Sequence, residues 1–480
     1  MTARGPARET PLRLIADQAF SRAAGAPLIE GNAVALLRDA ADNYPAWTRA
    51  IRDAERSILF EGYIVADDEV GREFRDALAA KAREGVRVRV LYDWLGCPGK
   101  LVSSFWKPVR AGGGLVRVFN PPRFDSPLGW LSRNHRKSIT VDGRVSFVTG
   151  LCIAKAWLGD PSHGREPWRD TGIEIRGPAV ADVQRAFAQV WAVAGDQLDN
   201  DELTDPATIP VAGDVSLRVI ANAPSAGNVM RLDQLVAAIA RSRLWLTDAY
   251  FVPVAAYVQT LCAAARDGVD VRLLVPGASD IPIVSPLSRA GYRQLLESGV
   301  RVFEWNGTML HAKTAVADGR WARVGSTNLN IASFIGNYEL DIAVEDLAFA
   351  ETMERQYRDD LTRSTEIVLK RRRHRARPIP SQPEPGRRFR RRPGGAGRAA
   401  AGAVRIGSAV GAAITRPREL SPADGKIMTA AAVLLVALAV VGVLWPWALA
   451  WPAAVVAVWF ATAFLIRAWR NWNEGQRVRS

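Results

Sequence analysis

Two short segments of the chain carry histidine, lysine and aspartate at the same spacing. Residues 135–154 read HRKSITVDGRVSFVTGLCIA, and residues 311–330 read HAKTAVADGRWARVGSTNLN. The repeated residues are His135, Lys137 and Asp142 in the first segment and His311, Lys313 and Asp318 in the second. Histidine can act as a nucleophile or transfer a proton, and lysine is a compact positive charge suited to phosphate oxygens. The two segments therefore predict chemistry at a phosphate group.

The spacing also predicts how the local structure presents these side chains. Residues two apart on a strand share a face, so His311 and Lys313 should point the same way. In both segments an Asp-Gly pair predicts a two-residue hairpin turn, and the second return strand leads into GSTN, small polar residues suited to approaching a phosphate. A single His-x-Lys is typical of a half-exposed strand end. Two copies at the same place in a repeat favour a functional site.

The two segments belong to a longer internal duplication. EGVRVRVLYD at 84–93 matches DGVDVRLLVP at 267–276, and GGLVRVFNPP at 113–122 matches SGVRVFEWNG at 298–307. The helix-like stretches GREFRDALAAKAREG and VAAYVQTLCAAARDG lie between these β-branched runs. Alternating strands and helices predict an α/β fold of two similar halves, joined within residues 194–214.

The pattern H-x-K-x4-D followed by G-S-x-N resembles the signature of the phospholipase D superfamily, and the chain is most similar to bacterial cardiolipin synthases. The resemblance extends from about Asp42 to Asp360 and includes WRDTGIEIRGPAV at 168–180 and NYELDIAV at 337–344. It implies two phospholipase D-like halves related by pseudo-twofold symmetry, with both motifs in one active site.

The resemblance also implies a catalytic role for each histidine and lysine. One histidine attacks the phosphodiester phosphorus and forms a phosphohistidine, and the other protonates the departing alcohol and then deprotonates the incoming one. By family analogy the nucleophile is His135. The two lysines would hold the equatorial oxygens, so neither a metal ion nor another cofactor is expected.

Six further site residues follow from the same resemblance. Ser326 and Asn328 would add hydrogen bonds to the phosphate. The motif aspartates, Asp142 and Asp318, are usually structural supports in this family. Asp170 and Glu339 stand where acidic partners of the two histidines lie, and such a partner fixes the tautomer and favours the imidazolium form.

The sequence departs from the family pattern at three points. Thr149 and Cys152 stand where the first motif usually has glycine and asparagine, so this motif lacks an amide donor. Ala332 stands where the second motif often has arginine. The predicted membrane helices lie at the C-terminus, whereas familiar cardiolipin synthases have them at the N-terminus. The first departure affects the reaction rate or the substrate that the resemblance implies. The last affects the subfamily to which the chain is assigned.

Composition limits the class of protein. A length of 480 residues favours two or three domains, and 48% hydrophobic residues allow a sizeable core. The three cysteines are far apart in the sequence, which favours a reducing compartment. The formal net charge of +14 is concentrated in residues 370–418, where Glu384 is the one acidic residue. The Pro and Gly content of this stretch and its like charges predict a disordered basic linker.

An apolar stretch follows the linker. No charged residue lies between Lys426 and Arg467, and this run is long enough for two membrane crossings. The predicted organisation is a first phospholipase D-like half with an N-terminal extension (1–200), a second half (201–365), the basic disordered linker (366–425), a transmembrane helical hairpin (426–467) and a tail (468–480). A buried helical pair in a soluble domain and a re-entrant second arm are the alternatives to the hairpin.

The leading functional hypothesis is phosphatidyl transfer through a phosphohistidine, with cardiolipin made from two phosphatidylglycerols. Hydrolysis that releases phosphatidic acid is the enzymatic alternative, and a weakly catalytic membrane-binding scaffold is the alternative of another class. The basic linker is expected to bind the anionic phospholipid of the inner leaflet rather than nucleic acid. This arrangement places the catalytic halves on the cytoplasmic side of the bacterial inner membrane. The sequence makes no prediction of oligomeric state.

Overall fold

The structure of the chain is a computed structural model. It describes residues 11–97, 104–122, 132–281 and 284–369, together with scattered positions between 447 and 462. Within these residues, fifteen strands form one continuous mixed sheet. The strands of its first half are β1 (Ile29–Arg38), β2 (Ser57–Gly62), β3 (Arg87–Asp93), β4 (Leu115–Phe119), β5 (Ser138–Val141), β6 (Val145–Thr149) and β7 (Thr171–Arg176). Those of its second half are β8 (Val215–Asn222), β9 (Arg243–Thr247), β10 (Asp270–Pro276), β11 (Arg301–Trp305), β12 (Thr314–Ala317), β13 (Trp321–Gly325), β14 (Glu339–Glu345) and β15 (Ser364–Ile367).

The two halves of the sheet repeat one topology on either side of the antiparallel pair β1 and β8. Outward from the centre, the first half runs β1-β7-β6-β5-β2-β3-β4 and the second runs β8-β14-β13-β12-β9-β10-β11, with β15 added at the edge. The strands β2, β3 and β4 are parallel, as are β9, β10 and β11. The predicted α/β fold with an internal duplication is confirmed. The segment 194–214 connects the halves, and the domain limits at 200 and 365 stay predictions.

Helices cover the sheet, and their sequences explain where they begin and which faces they bury. In the third helix Val70, Phe74 and Leu78 recur every four residues and are buried, and the Asp68 carboxylate accepts a hydrogen bond from the Gly71 amide at 2.9 Å. Both helix-like stretches of the duplication are helical, as α3 and α8. The helices are α1 (Pro11–Ala24), α2 (Asp39–Arg52), α3 (Glu69–Arg83), α4 (Lys107–Ala111), α5 (Lys155–Leu158), α6 (Val180–Val193), α7 (Asn228–Ile239), α8 (Ala255–Arg266), α9 (Val284–Glu297) and α10 (Leu347–Thr362).

Hydrophobic packing joins the two halves. One cluster of buried side chains combines Ile173 and Ile175 of β7 with Leu217 of β8 and with Leu340 and Ile342 of β14. Because this cluster draws on strands from both sides of the central pair, the halves share a core. The shared core fixes how the first motif lies relative to the second.

The N-terminal helix packs on the second half of the sheet. Ala24 and Ala26 are buried in the same cluster as Val229 and Leu232 of α7, and Asp17 forms an ion pair with Arg218 of β8. This helix, which belongs to the predicted N-terminal extension of the first half, therefore packs against the second half.

The predicted linker at 366–425 and the predicted hairpin at 426–467 lie outside the described residues, apart from 366–369 and the scattered helical positions between 447 and 462. Among the residues that the structure does describe, no helix combines the length and apolarity needed to cross a bilayer. The hairpin therefore stays a prediction.

Candidate active site

Each His-x-Lys pair lies immediately before a strand of its own half. Lys137 precedes β5 and Lys313 precedes β12, so the prediction that these pairs lie within the strands is wrong by a few residues. The reason is that the histidine backbone pairs with the other half of the molecule. The His135 amide donates to the Tyr338 carbonyl at 2.9 Å, and the His311 amide donates to the Arg169 carbonyl at 2.7 Å.

This backbone pairing brings each histidine beside an acidic residue of the opposite half. Glu339 follows Tyr338, and its Oε2 lies 2.9 Å from His135 Nδ1. Asp170 follows Arg169, and its Oδ2 lies 2.8 Å from His311 Nδ1. An ionised carboxylate accepts hydrogen bonds only, so Nδ1 of each ring carries a proton and Nε2 carries the lone pair. Each half thus fixes the reactive tautomer of the other half's histidine.

The two carboxylates are held by different donors. The Ser326 hydroxyl donates to Glu339 Oε2 at 2.6 Å, and the Trp157 indole donates to Asp170 Oδ2 at 2.9 Å. Gly150 occupies the position in the first motif that Ser326 occupies in the second, and a Cβ atom there would lie 2.3 Å from Asp170 Oδ1. A serine does not fit beside Asp170, and the indole supplies the hydrogen bond instead.

The two predicted phosphate-binding residues differ in how they are engaged. The Ser326 hydroxyl is committed to Glu339, so it orients a carboxylate in this structure rather than facing a substrate. Asn328 is buried, and its Oδ1 has no hydrogen-bond partner among the described residues. Cys152, at the matching position of the first motif, is buried as well, and burial raises the pKa of its thiol.

The lysines are buried beside the histidines. Lys137 Nζ donates to the His135 carbonyl at 2.6 Å and lies 5.1 Å from the Tyr63 ring centroid. Lys313 Nζ donates to the His311 carbonyl and lies 5.6 Å from the Tyr250 ring centroid. The two lysines thus occupy matching positions beside the two histidines.

Burial dominates the protonation of both histidines. It lowers the pKa of His135 and, together with the Lys313 charge, lowers the pKa of His311 to about 3, although the partner carboxylates act in the opposite direction. Burial alone would raise the pKa of Asp170 and Glu339, but the facing histidines and lysines hold both below their usual values. The carboxylates thus favour the imidazolium form, as predicted, but burial outweighs them and leaves the pKa of each histidine below its usual value.

The charges of the two motifs also act on each other. Burial, followed by the like charge of Lys137, lowers the pKa of Lys313 to about 8, with the opposite charge of Asp170 acting against both. The Lys137 charge contributes to the lowered pKa of His311, and the Lys313 charge contributes to that of His135. The side chains of the two motifs therefore form one electrostatic site.

The motif aspartates hold turns. Asp142 and Asp318 have φ values of 55° and 50° and are followed by glycines that also have positive φ, as a type I′ hairpin turn requires. The Asp142 carboxylate accepts hydrogen bonds from the amides of residues 55, 56 and 57, and that of Asp318 accepts them from the amides of residues 241, 242 and 243. The predicted hairpins are confirmed, but each loop has three residues, 142–144 and 318–320, and not the predicted two. The two aspartates tie each motif hairpin to the chain segment before β2 or β9.

Removing the Asp142 carboxylate should destabilise the fold more than removing that of Asp318. Asp142 is buried, so Asp142→Ala leaves three amides without an acceptor and is expected to lower the free energy of unfolding by about 3 kcal/mol. Asp318 is only half-buried, so water can replace its carboxylate, and Asp318→Ala is expected to cost about 1 kcal/mol. Urea unfolding measures both. Equal losses of stability in the two alanine variants would contradict this account. Asp142→Asn is the control, because it keeps one acceptor oxygen and should lose less stability than Asp142→Ala; no loss at all in Asp142→Asn would also contradict the account.

Aromatic side chains that the sequence reasoning missed surround both histidines. The Tyr63 ring contacts His135 at a centroid distance of 4.8 Å, and the Tyr250 ring contacts His311 at 5.6 Å. Trp157 and Trp168 pack on His311 at 5.3 and 5.9 Å. The two tyrosines begin the matching sequences YIV at 63–65 and YFV at 250–252, a further pair of the duplication, and this match is the signal that could have identified them.

A buried carboxyl group, Asp248, was also missed. Its Oδ1 accepts from the Leu329 amide at 2.9 Å, and its Oδ2 has no partner within the described residues. Burial raises the Asp248 pKa to about 7, and the Lys313 charge opposes the rise. Glu61 holds the matching position in the first half, where it accepts hydrogen bonds from Asn134 and Ser138. Both residues therefore help to position the segments that carry the histidines.

Of the two other histidines, His163 is exposed and its Nδ1 lies 2.9 Å from Asp160 Oδ2. His374 lies outside the described residues.

Comparison with known proteins agrees with this geometry. A family model described as "Cardiolipin synthase, PLD-like domain" matches residues 47–191 and 235–361, which contain both motifs. A cardiolipin synthase of Halalkalibacterium halodurans is 33% identical over 362 residues, which cover 74% of this chain and 71% of that protein. Cardiolipin synthase A of Pseudomonas entomophila is 34% identical over 350 residues, which cover 71% of each chain.

The solved structure of phosphatidylserine synthase from Haemophilus influenzae shares the fold. It superposes with a TM-score of 0.57 at 16% identity, over 73% of this chain and 91% of that one. The family match covers more than half of the chain and includes both His-x-Lys pairs. The chain therefore belongs to the phospholipase D superfamily, within the family of cardiolipin synthase-like phosphatidyltransferases.

Proposed function

We propose that this enzyme moves a phosphatidyl group from one phosphatidylglycerol to a hydroxyl of a second, which yields cardiolipin and glycerol. The observation that carries the proposal is the reciprocal pairing of His135 with Glu339 and of His311 with Asp170. This pairing presents two Nε2 lone pairs and two lysine charges in one site. The resemblance to enzymes named cardiolipin synthase supports the choice of substrate.

In the first step, Nε2 of His135 attacks the phosphorus of the donor lipid. The new N–P bond forms as the bond from phosphorus to the glycerol oxygen breaks, and His311 Nε2 donates a proton to that oxygen. His311 must gain this proton when substrate binds. The negative phosphodiester favours the gain because it offsets the lysine charges that help to lower the His311 pKa.

In the second step, His311 Nε2 removes the proton from the incoming hydroxyl. The resulting alkoxide attacks phosphorus, the N–P bond breaks, and His135 returns to its neutral form. Lys137 and Lys313 bind the non-bridging oxygens throughout, where charge is greatest in the transition state. Glu339 and Asp170 keep both imidazoles in the tautomer that these transfers need.

The direct test is to incubate the purified full chain with phosphatidylglycerol vesicles and to identify the products by mass spectrometry. Cardiolipin with an equal amount of glycerol supports the proposal. Phosphatidic acid with glycerol would instead identify a hydrolase, and no turnover would favour a membrane-binding scaffold.

The transfer is expected to proceed without a divalent metal ion. Lys137 and Lys313 already place two positive charges beside the histidines, where a metal ion would otherwise offset phosphate charge. Cardiolipin formation by protein dialysed against excess EDTA should therefore match that of untreated protein. The control is EDTA saturated with Ca²⁺. Loss of activity that one added divalent ion restores would contradict the prediction.

The membrane arrangement is proposed from the sequence alone. The basic residues of the 366–425 segment would attract anionic headgroups at about 1 kcal/mol per residue near the surface. The apolar run at 426–467 would anchor the chain as a hairpin in the bacterial inner membrane. Arginines flank both ends of this run, which favours a cytoplasmic position for the catalytic halves and the tail.

A further inference from the structure

A surface cavity lies beside His311. Its volume is about 560 Å³, and its wall includes Lys155, Arg165, Trp168 and Thr308. Trp168 forms the boundary with the site because its ring packs on the His311 ring. The Thr308 hydroxyl donates to the carbonyls of residues 166 and 167 at 3.2 and 3.1 Å, which ties this wall of the cavity to the segment that leads into His311.

The position of the cavity matches the alcohol side of the proposed reaction. In an in-line displacement at phosphorus, the nucleophile and the alcohol oxygen lie on opposite sides. If His135 attacks, the departing and incoming alcohols both lie beside His311, which exchanges protons with them. The cavity is therefore where the rest of an acceptor alcohol would extend.

The size of the cavity favours an acceptor larger than water. Pockets for small molecules have volumes of about 300–1,000 Å³, whereas one water molecule takes up about 30 Å³. The cavity falls within the first range. It is large enough for a glycerol unit and the phosphate attached to it.

The charges of the cavity favour an anionic acceptor. The charged residues of the wall other than Arg165 are paired: Lys155 with Glu69 at 2.8 Å, Asp160 with Lys155 at 3.7 Å, and Glu166 with Arg363 at 2.5 Å. Arg165 is exposed and forms no ion pair with any residue that the structure describes. Two backbone hydrogen bonds with Asp160, at 2.7 and 2.9 Å, hold Arg165 in a tight turn. An exposed guanidinium on a backbone held in this way, without a carboxylate partner among the described residues, is suited to binding a phosphodiester.

We propose that this cavity is the acceptor subsite, in which the Arg165 guanidinium binds the phosphodiester of an anionic glycerol headgroup while its free hydroxyl extends past Trp168 towards His311. The inference rests on the proposed phosphatidyl transfer and adds the binding site that selects the acceptor. It also explains how a lipid hydroxyl competes with water, since a bound headgroup holds its hydroxyl beside the base.

The test separates the two half-reactions with one donor, phosphatidyl-p-nitrophenol, and two acceptors, short-chain phosphatidylglycerol and neutral glycerol. Release of p-nitrophenol reports formation of the phosphohistidine, and the lipid products report the acceptor. Arg165→Gln should raise the KM for the phosphatidylglycerol acceptor about tenfold and increase the share of phosphatidic acid. It should leave the use of glycerol and the initial release of p-nitrophenol unchanged, and Arg165→Lys should recover part of the loss.

The matched control is Arg185→Gln, because Arg185 is an exposed arginine of α6 that does not line the cavity. An unchanged KM for phosphatidylglycerol in Arg165→Gln would overturn the subsite while leaving the transferase intact. Equal losses with phosphatidylglycerol and glycerol would overturn it as well, because a headgroup site cannot affect a neutral acceptor equally. If the unaltered protein transfers to neither acceptor, the proposed function itself fails.

Discussion

His135→Asn is expected to abolish the release of p-nitrophenol from phosphatidyl-p-nitrophenol, whereas His311→Asn should retain it. Asparagine offers an amide N–H near the position of Nδ1, so the buried Glu339 or Asp170 keeps a donor while Nε2 is lost. Without Nε2 of His135 no N–P bond forms, and the rate should fall about 10⁴-fold with any donor. The p-nitrophenolate group leaves without a proton, so the first step does not need His311.

The two variants should differ again with phosphatidylglycerol as donor. His311→Asn lacks the acid that glycerol needs in order to leave, so its turnover should fall about 10³-fold, within the range of general acid catalysis. With the activated donor it should accumulate phosphohistidine, which labelled phosphate and tryptic mapping would place at residue 135. The control is Arg185→Gln, since Arg185 is exposed, pairs with Asp182 on α6 and does not line the cavity. Label at residue 311 in a His135→Asn protein would reverse the two roles.

The duplication made most of the fold predictable from the sequence. Matching segments such as 84–93 and 267–276 gave the order of strands and helices, and the Asp-Gly pairs gave the motif hairpins. Such patterns describe what lies on one strand or in one turn. They do not determine where two strands from different halves meet. The parallel bridges of Asn134 with Tyr338 and of Arg169 with Leu310, which shift the histidines out of their strands, could not be predicted in this way.

The acidic partners show the same limit. Family resemblance identified Asp170 and Glu339, but only the structure shows that each partners the histidine of the opposite half. The sequence predicted the direction in which the carboxylates act on the histidine pKa values, but not the larger opposing effect of burial, because a sequence does not report depth of burial. A His-x-Lys pair next to a carboxylate favours the imidazolium in water, yet here desolvation outweighs the carboxylate.

The two halves diverge where their sequences do. Ser326 holds one carboxylate and Trp157 holds the other, because Gly150 leaves no room for a side chain beside Asp170. Among the residues that the structure describes, indole rings pack on His311 and not on His135, and the proposed acceptor cavity opens next to one of them. This asymmetry suits a reaction whose two histidines have different tasks.

Lys313→Met is expected to lower kcat/KM for phosphatidyl-p-nitrophenol about 10³-fold, because methionine keeps most of the side-chain volume but removes a charge that binds phosphate oxygens in a buried site. The pH dependence of kcat/KM tests whether Lys313 is the group that binds the phosphate. Burial lowers the Lys313 pKa to about 8, so the protonated form that binds phosphate is lost as the pH rises through 8. The activity of the unaltered enzyme should therefore decline above pH 8, and the activity of Lys313→Arg should not, since arginine stays protonated.

Lys137→Met gives the sharper test of whether the two motifs form one electrostatic site. It should lower kcat/KM by a similar factor, because it also removes a charge that binds phosphate. In addition, the like charge of Lys137 is one of the causes that lower the Lys313 pKa, so its removal should move the alkaline decline to higher pH. This shift of the alkaline decline to higher pH requires the charge of Lys137, in the first half, to act on the pKa of Lys313, in the second half. An alkaline decline at the same pH in Lys137→Met and in the unaltered enzyme would mean that the motifs do not share one phosphate site.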